Sequence, residues 1–374
     1  MKLKQTLRQW LVDLLGHRDD RFYWRQPLGA ITLPANARLC LWQPDGKLGD
    51  AIVTSMLLCD LAAQRPDVNV TVVVEPGLQS FWRALPQVQE ALSCRQDRAS
   101  LRDAIGACDV FVSFETFLSL ETLLLLRALH PAVAIGYNVG RYRIFDRSLV
   151  CTSYEWPRKH IAARLRNLCE LLSLQHLGSN PLPEVLPSHR TDRSTLPAHP
   201  GPTVFLNTHA AGADRTFNTS TVAWLIKELH SAGPQARILL SVPGAERSDW
   251  LARIQALPPS ARSAVALTPD NTSLWEMMWL VQQCDMVVSP DTAVAHVAAA
   301  LNKPVVAFYR DRAYNPLVWA PLCPHHRQVL PNGTEPCSVN DFDPEAAAQA
   351  LHGMLHAAAT WRPVRPTHHA DLPD

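Results

Sequence analysis

Val287-Val288-Ser289-Pro290-Asp291-Thr292-Ala293-Val294-Ala295-His296 decides how this chain folds. An apolar strand ends in Ser-Pro-Asp-Thr and passes at once into a small-residue helix, with a second apolar run, Val305-Val306-Ala307-Phe308-Tyr309, behind it. That is the strand–loop–helix–strand pattern of a parallel α/β sheet. Such a turn leaves the unpaired N–H groups of the helix's first turn facing the crevice at the carboxyl edge of the sheet, where an anion is stabilised. Asp291 reads as the N-cap, Thr292 adds a hydroxyl at the helix start, and His296 reaches back from one turn further on. Taken alone, the segment also fits an ordinary capped helix.

A second segment lies far upstream. Arg38-Leu39-Cys40-Leu41-Trp42 reads as a buried strand, followed by Asp45-Gly46-Lys47-Leu48-Gly49-Asp50 and a helix expected from about Ala51 to Gln64 that carries Thr54. The glycine loop brings Asp50 to a helix N-terminus, again at a carboxyl edge. One site suits an anion and the other offers a carboxylate. This pairing, Gly-Asp-x-x-x-Thr early and Asp-Thr-x-x-x-His late, resembles glycosyltransferase family 9, the ADP-heptose:lipopolysaccharide heptosyltransferases. The resemblance runs from about Arg38 to about Leu355.

Bulk properties agree with a two-domain enzyme. A chain of 374 residues is long for one core, and its 47% hydrophobic content and net charge of +1 exclude a disordered chain and a general nucleic-acid binder. Nine scattered cysteines with no Cys-x-x-Cys pair suit reduced thiols. Cys323-Pro324-His325-His326 with Cys337 matches no standard zinc spacing and reads as a loop. No apolar run is long enough to span a membrane, and the N-terminus lacks a signal-peptide core. Residues 1–24 instead read as an amphipathic helix: Leu3, Leu7, Leu11, Leu14 and Leu15 recur at helical spacing beside Trp10, with Lys2, Lys4 and Arg8 elsewhere on the wheel. It suits either an anionic membrane surface or packing against protein.

Two doubly wound halves follow. Strands near Arg38–Trp42, Val70–Val74, Val110–Ser113 and Ala132–Gly136 alternate with helices in residues 25–180, and strands near Val204–Asn207, Ile238–Val242, Ala264–Leu267, Met286–Ser289 and Val305–Tyr309 do so in residues 203–358. Residues 181–202, crowded with proline and isolated charges, read as a linker, and 359–374 as a flexible tail. Ser273-Leu274-Trp275-Glu276 carries a capping-box signature. Cys108-Asp109-Val110-Phe111-Val112-Ser113 is echoed by Cys284-Asp285-Met286-Val287-Val288-Ser289, 176 positions later, as if both were strands at one place in each half.

The family resemblance implies the GT-B architecture: two facing Rossmann-like domains with an interdomain cleft, nucleotide sugar held C-terminally and acceptor N-terminally. It implies an inverting, metal-independent transfer of heptose from ADP-heptose to the lipopolysaccharide core, at the cytoplasmic face of the inner membrane. Glycosyl transfer needs a base for the acceptor hydroxyl and stabilisation of the departing diphosphate. Asp50 fits the first; Asp291, Thr292, Ala293, His296 and Arg215 fit the second. Glu246 follows the second strand of its half, where ribose hydroxyls are commonly bound. Lys47, Arg141 and Arg143 offer positive charge to an acceptor. The chain departs from the family at two places: Ala293 replaces its usual glycine, and Asp45 and Lys47 stand where members carry small or hydroxylated residues. The alternatives are another nucleotide sugar, a protein acceptor, or a non-catalytic scaffold. No Asp-x-Asp metal motif is present, and no Gly-x-Gly-x-x-Gly follows the first strand of either half.

Overall fold

The computed structural model describes residues 2–16, 29–115, 117–150, 159–333 and 337–360. Most of the segment read as a flexible tail, and residues 17–24 of the N-terminal segment, lie outside them. The chain divides into two compact units, the first ending at Pro181 and the second beginning at Leu182.

In the first unit, strands β1 (Arg38–Gln43), β2 (Asn69–Val74), β3 (Val88–Ser93), β4 (Val110–Ser113), β5 (Val133–Tyr137) and β6 (Arg147–Leu149) form one parallel sheet in the order β3-β2-β1-β4-β5-β6. The second unit has β7 (Thr203–Asn207), β8 (Arg237–Ser241), β9 (Val265–Leu267), β10 (Met286–Pro290), β11 (Val305–Phe308) and β12 (His326–Val329), ordered β12-β11-β10-β7-β8-β9. Counted from its own first strand, each sheet has the 3-2-1-4-5-6 order of the doubly wound dinucleotide fold. Strand order reverses between β1 and β4 in one unit and between β7 and β10 in the other, and the carboxyl edge at that reversal is where such sheets bind ligands. The central strands β4, β7, β10 and β11 are buried along their whole length, as parallel strands covered on both faces must be.

The internal echo is structural. Asp109 Oδ2 accepts the backbone N–H of Arg38, the first residue of β1, at 2.8 Å, and Asp285 Oδ2 accepts that of Thr203, the first residue of β7, at 2.7 Å. One hydrogen bond thus starts the β1/β4 and β7/β10 pairs alike. The capping box at Ser273 and Glu276 is also present.

Several expectations need correction. The helix after the Asp50 loop is two helices, α2 (Leu48–Thr54) and α3 (Met56–Gln64), broken at Ser55, whose hydroxyl donates to the Ile52 carbonyl at 2.8 Å. Back-bonding of this kind bends helices. The expected linker is folded: Leu182–Val185, Leu186–His189 and Asp192–Ser194 are short helical turns of the second unit, with Leu182 and Leu186 buried and the His189 ring stacked on Trp275 at 3.7 Å. Strands β3, β6 and β12 were not foreseen, because each lies at a sheet edge and mixes polar with apolar residues.

The N-terminal helix α1 (Lys2–Leu15) packs on α4 (Leu120–Leu129) of the first unit. Val12 is buried in one cluster with Leu123, Leu126, Tyr142 and Phe145, while Arg8 pairs with Glu121 at 2.5 Å and Asp13 accepts the Tyr142 hydroxyl at 2.9 Å. Burying the valine contributes about 1.5–3 kcal/mol. The exposed ion pair adds about 1 kcal/mol or less.

Candidate active site

Around Asp50, three carboxyl edges converge. After β1 the chain turns at Gly46, whose φ of +65° lies in the left-handed region that favours glycine and where an added Cβ would come within 3.1 Å of Glu75 Cγ. Lys47 then precedes α2, and Asp50 lies in its first turn, 7% exposed. Arg164, on helix α5 (Ala163–Leu171), reaches in from the side: its Nη2 lies 3.3 Å from Asp50 Oδ1 and 2.9 Å from Thr54 Oγ1. The guanidinium sits over the Phe114 ring just past β4, at 5.2 Å, and Tyr137 at the end of β5 donates its hydroxyl to the Arg164 carbonyl at 3.0 Å. An unpaired buried carboxylate is costly, so Arg164 supplies the counter-charge that lets Asp50 stand there. Glu115 is the next residue along β4's exit. Its carboxylate accepts the hydroxyls of Thr122 and Ser119, the first-turn and N-cap residues of α4, and burial pushes its pKa up.

In the second unit, helix α6 (Ala293–Ala300) follows β10. Its N-cap is Thr292 rather than Asp291: the Thr292 hydroxyl accepts the Val294 N–H at 3.3 Å, and Asp291 is buried one residue earlier. Asn207, the last residue of β7, lies with its amide 3.1 Å from both Thr292 Oγ1 and Ser289 Oγ, fixing the hydroxyl across the strand-order reversal. Burial pushes the Asp291 carboxyl up to about 6, against the pull of Arg215. His296 is buried on the same helix with its ring edge-on to Trp319 at 5.8 Å. Ala293 begins the helix, where alanine is the best residue for the conformation.

Arg215 ends a short 3₁₀ turn after β7, and its charge acts on the carboxyls of both Asp291 and Asp214. Asp214 itself pairs with Arg310, beyond β11, which holds the Asp214 carboxyl below its ordinary range. The anion-suited helix start therefore has two guanidinium groups in its neighbourhood. Glu246 stands apart from this group. It is exposed after β8, with its carboxylate accepting the Trp250 indole N–H at 3.3 Å. Lys47 is exposed at the start of α2, in Asp50's own loop. Arg141 lies over Tyr142 at 4.9 Å, beside α1, and Arg143 is exposed two residues on.

Among the described residues, the one His/Cys/acid group compact enough for an ion is Asp60, Cys169 and His176, and Cys323, His325 and His326 form none. That triad is joined by hydrogen bonds: Asp60 meets His176 Nδ1 at 2.7 Å, the Cys169 thiol at 3.3 Å and the Leu177 N–H at 2.8 Å. Sequence reasoning missed Arg164, Glu115, Asn207 and Arg310. Asn207 was the nearest to being found, since a polar residue ending a buried apolar strand is a signal in itself. Arg164 lies more than a hundred residues from Asp50, with no pattern joining them.

Two Rossmann-like sheets, each gathering polar side chains at the carboxyl edge of its strand-order reversal, define a glycosyltransferase of the GT-B class. The chain belongs to glycosyltransferase family 9 (heptosyltransferase), whose model matches residues 124–345. Among solved structures it is similar to Escherichia coli ADP-heptose lps heptosyltransferase II, at 20% identity and a TM-score of 0.66, covering 86% of this chain and 99% of that one. It is also similar to a family 9 glycosyltransferase from Veillonella parvula (15% identity, TM-score 0.67, 88% and 100% covered) and to E. coli heptosyltransferase WaaC with ADP (18%, 0.65, 85% and 99%). No curated protein matches it. Among the described residues no helix is long and apolar enough to cross a membrane.

Proposed function

We propose that the chain transfers heptose from ADP-heptose to a sugar hydroxyl of the lipopolysaccharide core, with inversion and without a metal ion, working at the cytoplasmic face of the inner membrane. Asp50 is the base that takes the acceptor proton. The Thr292 hydroxyl, His296, the N–H groups opening α6 at Ala293, and Arg215 with Arg310 stabilise the departing diphosphate. In this reading Asp291 holds the turn that aims Thr292, Glu246 meets the ribose, and Lys47, Arg141 and Arg143 serve the anionic acceptor. The acceptor belongs to the first unit, 25–180, and the donor to the second, 203–358.

The observation that carries the reading is the buried Asp50 held by Arg164 at the carboxyl edge of the first sheet. A carboxylate that is buried, paired and placed at the ligand-binding edge has the position of a general base, and general-base catalysis contributes roughly a hundredfold or more in rate. Family membership supports heptose as the sugar, and a similar structure holding ADP supports the nucleotide. Thermal-shift screening of the full chain against ADP, ADP-heptose, UDP and GDP tests the donor. Stabilisation by ADP and ADP-heptose is expected; a response to UDP or GDP alone overturns the assignment.

A further inference from the structure

In the first unit, three side chains of different chemistry meet away from solvent. Asp60 on α3, Cys169 on α5 and His176 in the segment after α5 bring an oxygen, a sulfur and a nitrogen within 4.8 Å of one another. The Asp60 and His176 side chains are 0% and 3% exposed, and Cys169 is buried. Asp60 Oδ2 lies 2.7 Å from His176 Nδ1 and 3.3 Å from Cys169 Sγ. The frame around them is fixed. Asp60 Oδ1 accepts the Leu177 N–H at 2.8 Å, and the Gln64 side chain clamps Gln175, accepting its N–H at 2.8 Å and donating to its carbonyl at 2.7 Å.

A carboxylate buried this completely needs a cation. Among the described residues no lysine or arginine pairs with Asp60, and its ion-pair partner is His176. An imidazolium fits poorly there: His176 Nε2 is buried with no hydrogen-bond partner, and a charged N–H left unpaired costs more than a neutral one. We propose that the triad binds a divalent transition metal, zinc by the chemistry of its donors, through Asp60 Oδ2, Cys169 Sγ and His176 Nδ1. Thiolate, imidazole and carboxylate are the ligands of zinc, whereas magnesium and calcium take oxygen alone. The two anionic donors cancel the charge of the ion, so the buried site is neutral. Donors of a zinc tetrahedron stand roughly 3.3–3.6 Å apart, a spacing the Asp60–Cys169 pair already has and the Asp60–His176 pair reaches by a small retreat of the ring. A water takes the fourth position. As the metal–sulfur bond forms, the Cys169 S–H bond breaks and its proton leaves to solvent, while the imidazole proton passes from Nδ1 to Nε2. The Leu177 N–H on the other Asp60 oxygen is the outer hydrogen bond that orients a ligand. The ion takes no part in glycosyl transfer; it pins α3 to α5 and to the chain that leaves the first unit at Pro181.

The test uses the full chain purified without chelator, with metal content read by elemental mass spectrometry and cobalt substitution by absorption. The wild type should hold about one zinc per chain, and Co2+ in its place should show the charge-transfer band of a cobalt–thiolate bond. Cys169→Ser keeps a hydroxyl for Asp60 and should lose both the band and the metal. His176→Gln should weaken metal retention by roughly tenfold or more, since even the loss of an outer partner costs that much. A chelator such as dipicolinate should lower the wild-type melting temperature by roughly 5 °C or more and leave that of Cys169→Ser in place. The wild-type metal content and chelator response stand even where a variant fails to fold. A wild type that purifies free of metal and takes up no Co2+, a cobalt band that persists in Cys169→Ser, or a melting temperature indifferent to chelator overturns the proposal and leaves the triad a hydrogen-bonded clasp.

Discussion

The two units repeat one topology and then treat the helix after their fourth strand in opposite ways. In the first, Glu115 folds back on the start of α4 and takes up the Ser119 and Thr122 hydroxyls, so the protein's own carboxylate occupies that helix terminus. In the second, the equivalent terminus is capped by Thr292 alone, with Asn207 steadying the hydroxyl and Arg215 acting on the buried Asp291. The first unit instead places its buried, paired carboxylate, Asp50, after β1, where Arg164 holds it. Duplicated sheets thus offer two equivalent edges each. The two termini differ in that Glu115 takes up the hydroxyls of its own helix start.

The largest expected effect falls on the first unit's open edge. Asp50→Asn should lower turnover with saturating acceptor by roughly a hundredfold or more. Steady-state rates that stay near wild type would reduce Asp50 to a residue of the helix start.

Arg164→Gln breaks a buried pair and leaves Asp50 uncompensated, so a loss of about 3–5 kcal/mol is expected in denaturant unfolding. Its functional signature distinguishes it from a purely structural residue. Arg164→Lys, which keeps a positive charge beside Asp50, should recover more turnover than Arg164→Gln. Equal turnover in the two variants would confine Arg164 to packing.

In the second unit, Asp291 gives a stability prediction with a definite sign. Its folded pKa of about 6 lies above its ordinary 3.8, so the folded state holds the proton that the unfolded chain has already lost. Stability from this group is therefore greatest below pH 4 and falls as pH rises to about 6, by about 2–3 kcal/mol. Asp291→Asn should remove that dependence and raise the unfolding free energy of the ligand-free protein above pH 6. A variant no more stable than wild type at pH 7 would show that Arg215 compensates the charge in full.

The smallest effect belongs to the closed terminus. Glu115→Gln keeps a partner for the Ser119 and Thr122 hydroxyls and should cost about 1 kcal/mol or less in unfolding, with turnover unchanged. A large loss of transfer would move Glu115 into the acceptor site and erase the contrast between the two termini.

Much of this was legible in the sequence, for physical reasons. Runs such as Val70–Val74 and Val305–Tyr309 are apolar on both faces, because both faces of a parallel sheet are covered, and such runs are hard to mistake. Edge strands lack that signal: Val88–Ser93 exposes Gln89 and Glu90. The Asp50 and Thr292 turns were readable because strand, loop and helix are contiguous. Arg164 and Arg310 were not, since each arrives from another part of the chain to meet a carboxylate that sequence order does not place beside it. The N-cap was misplaced by one residue because Asp and Thr are both good caps, and only burial of Asp291 decides between them.

The division of labour between the two edges is tested most directly by calorimetry of ADP binding to the full chain carrying either Asp50→Asn or Thr292→Ala. A hydrogen bond to a charged group contributes about 1.5–3 kcal/mol, so Thr292→Ala should weaken ADP by about tenfold or more while Asp50→Asn binds it like the wild type. Equal affinities in wild type and Thr292→Ala, or a comparable loss in Asp50→Asn, would contradict the account.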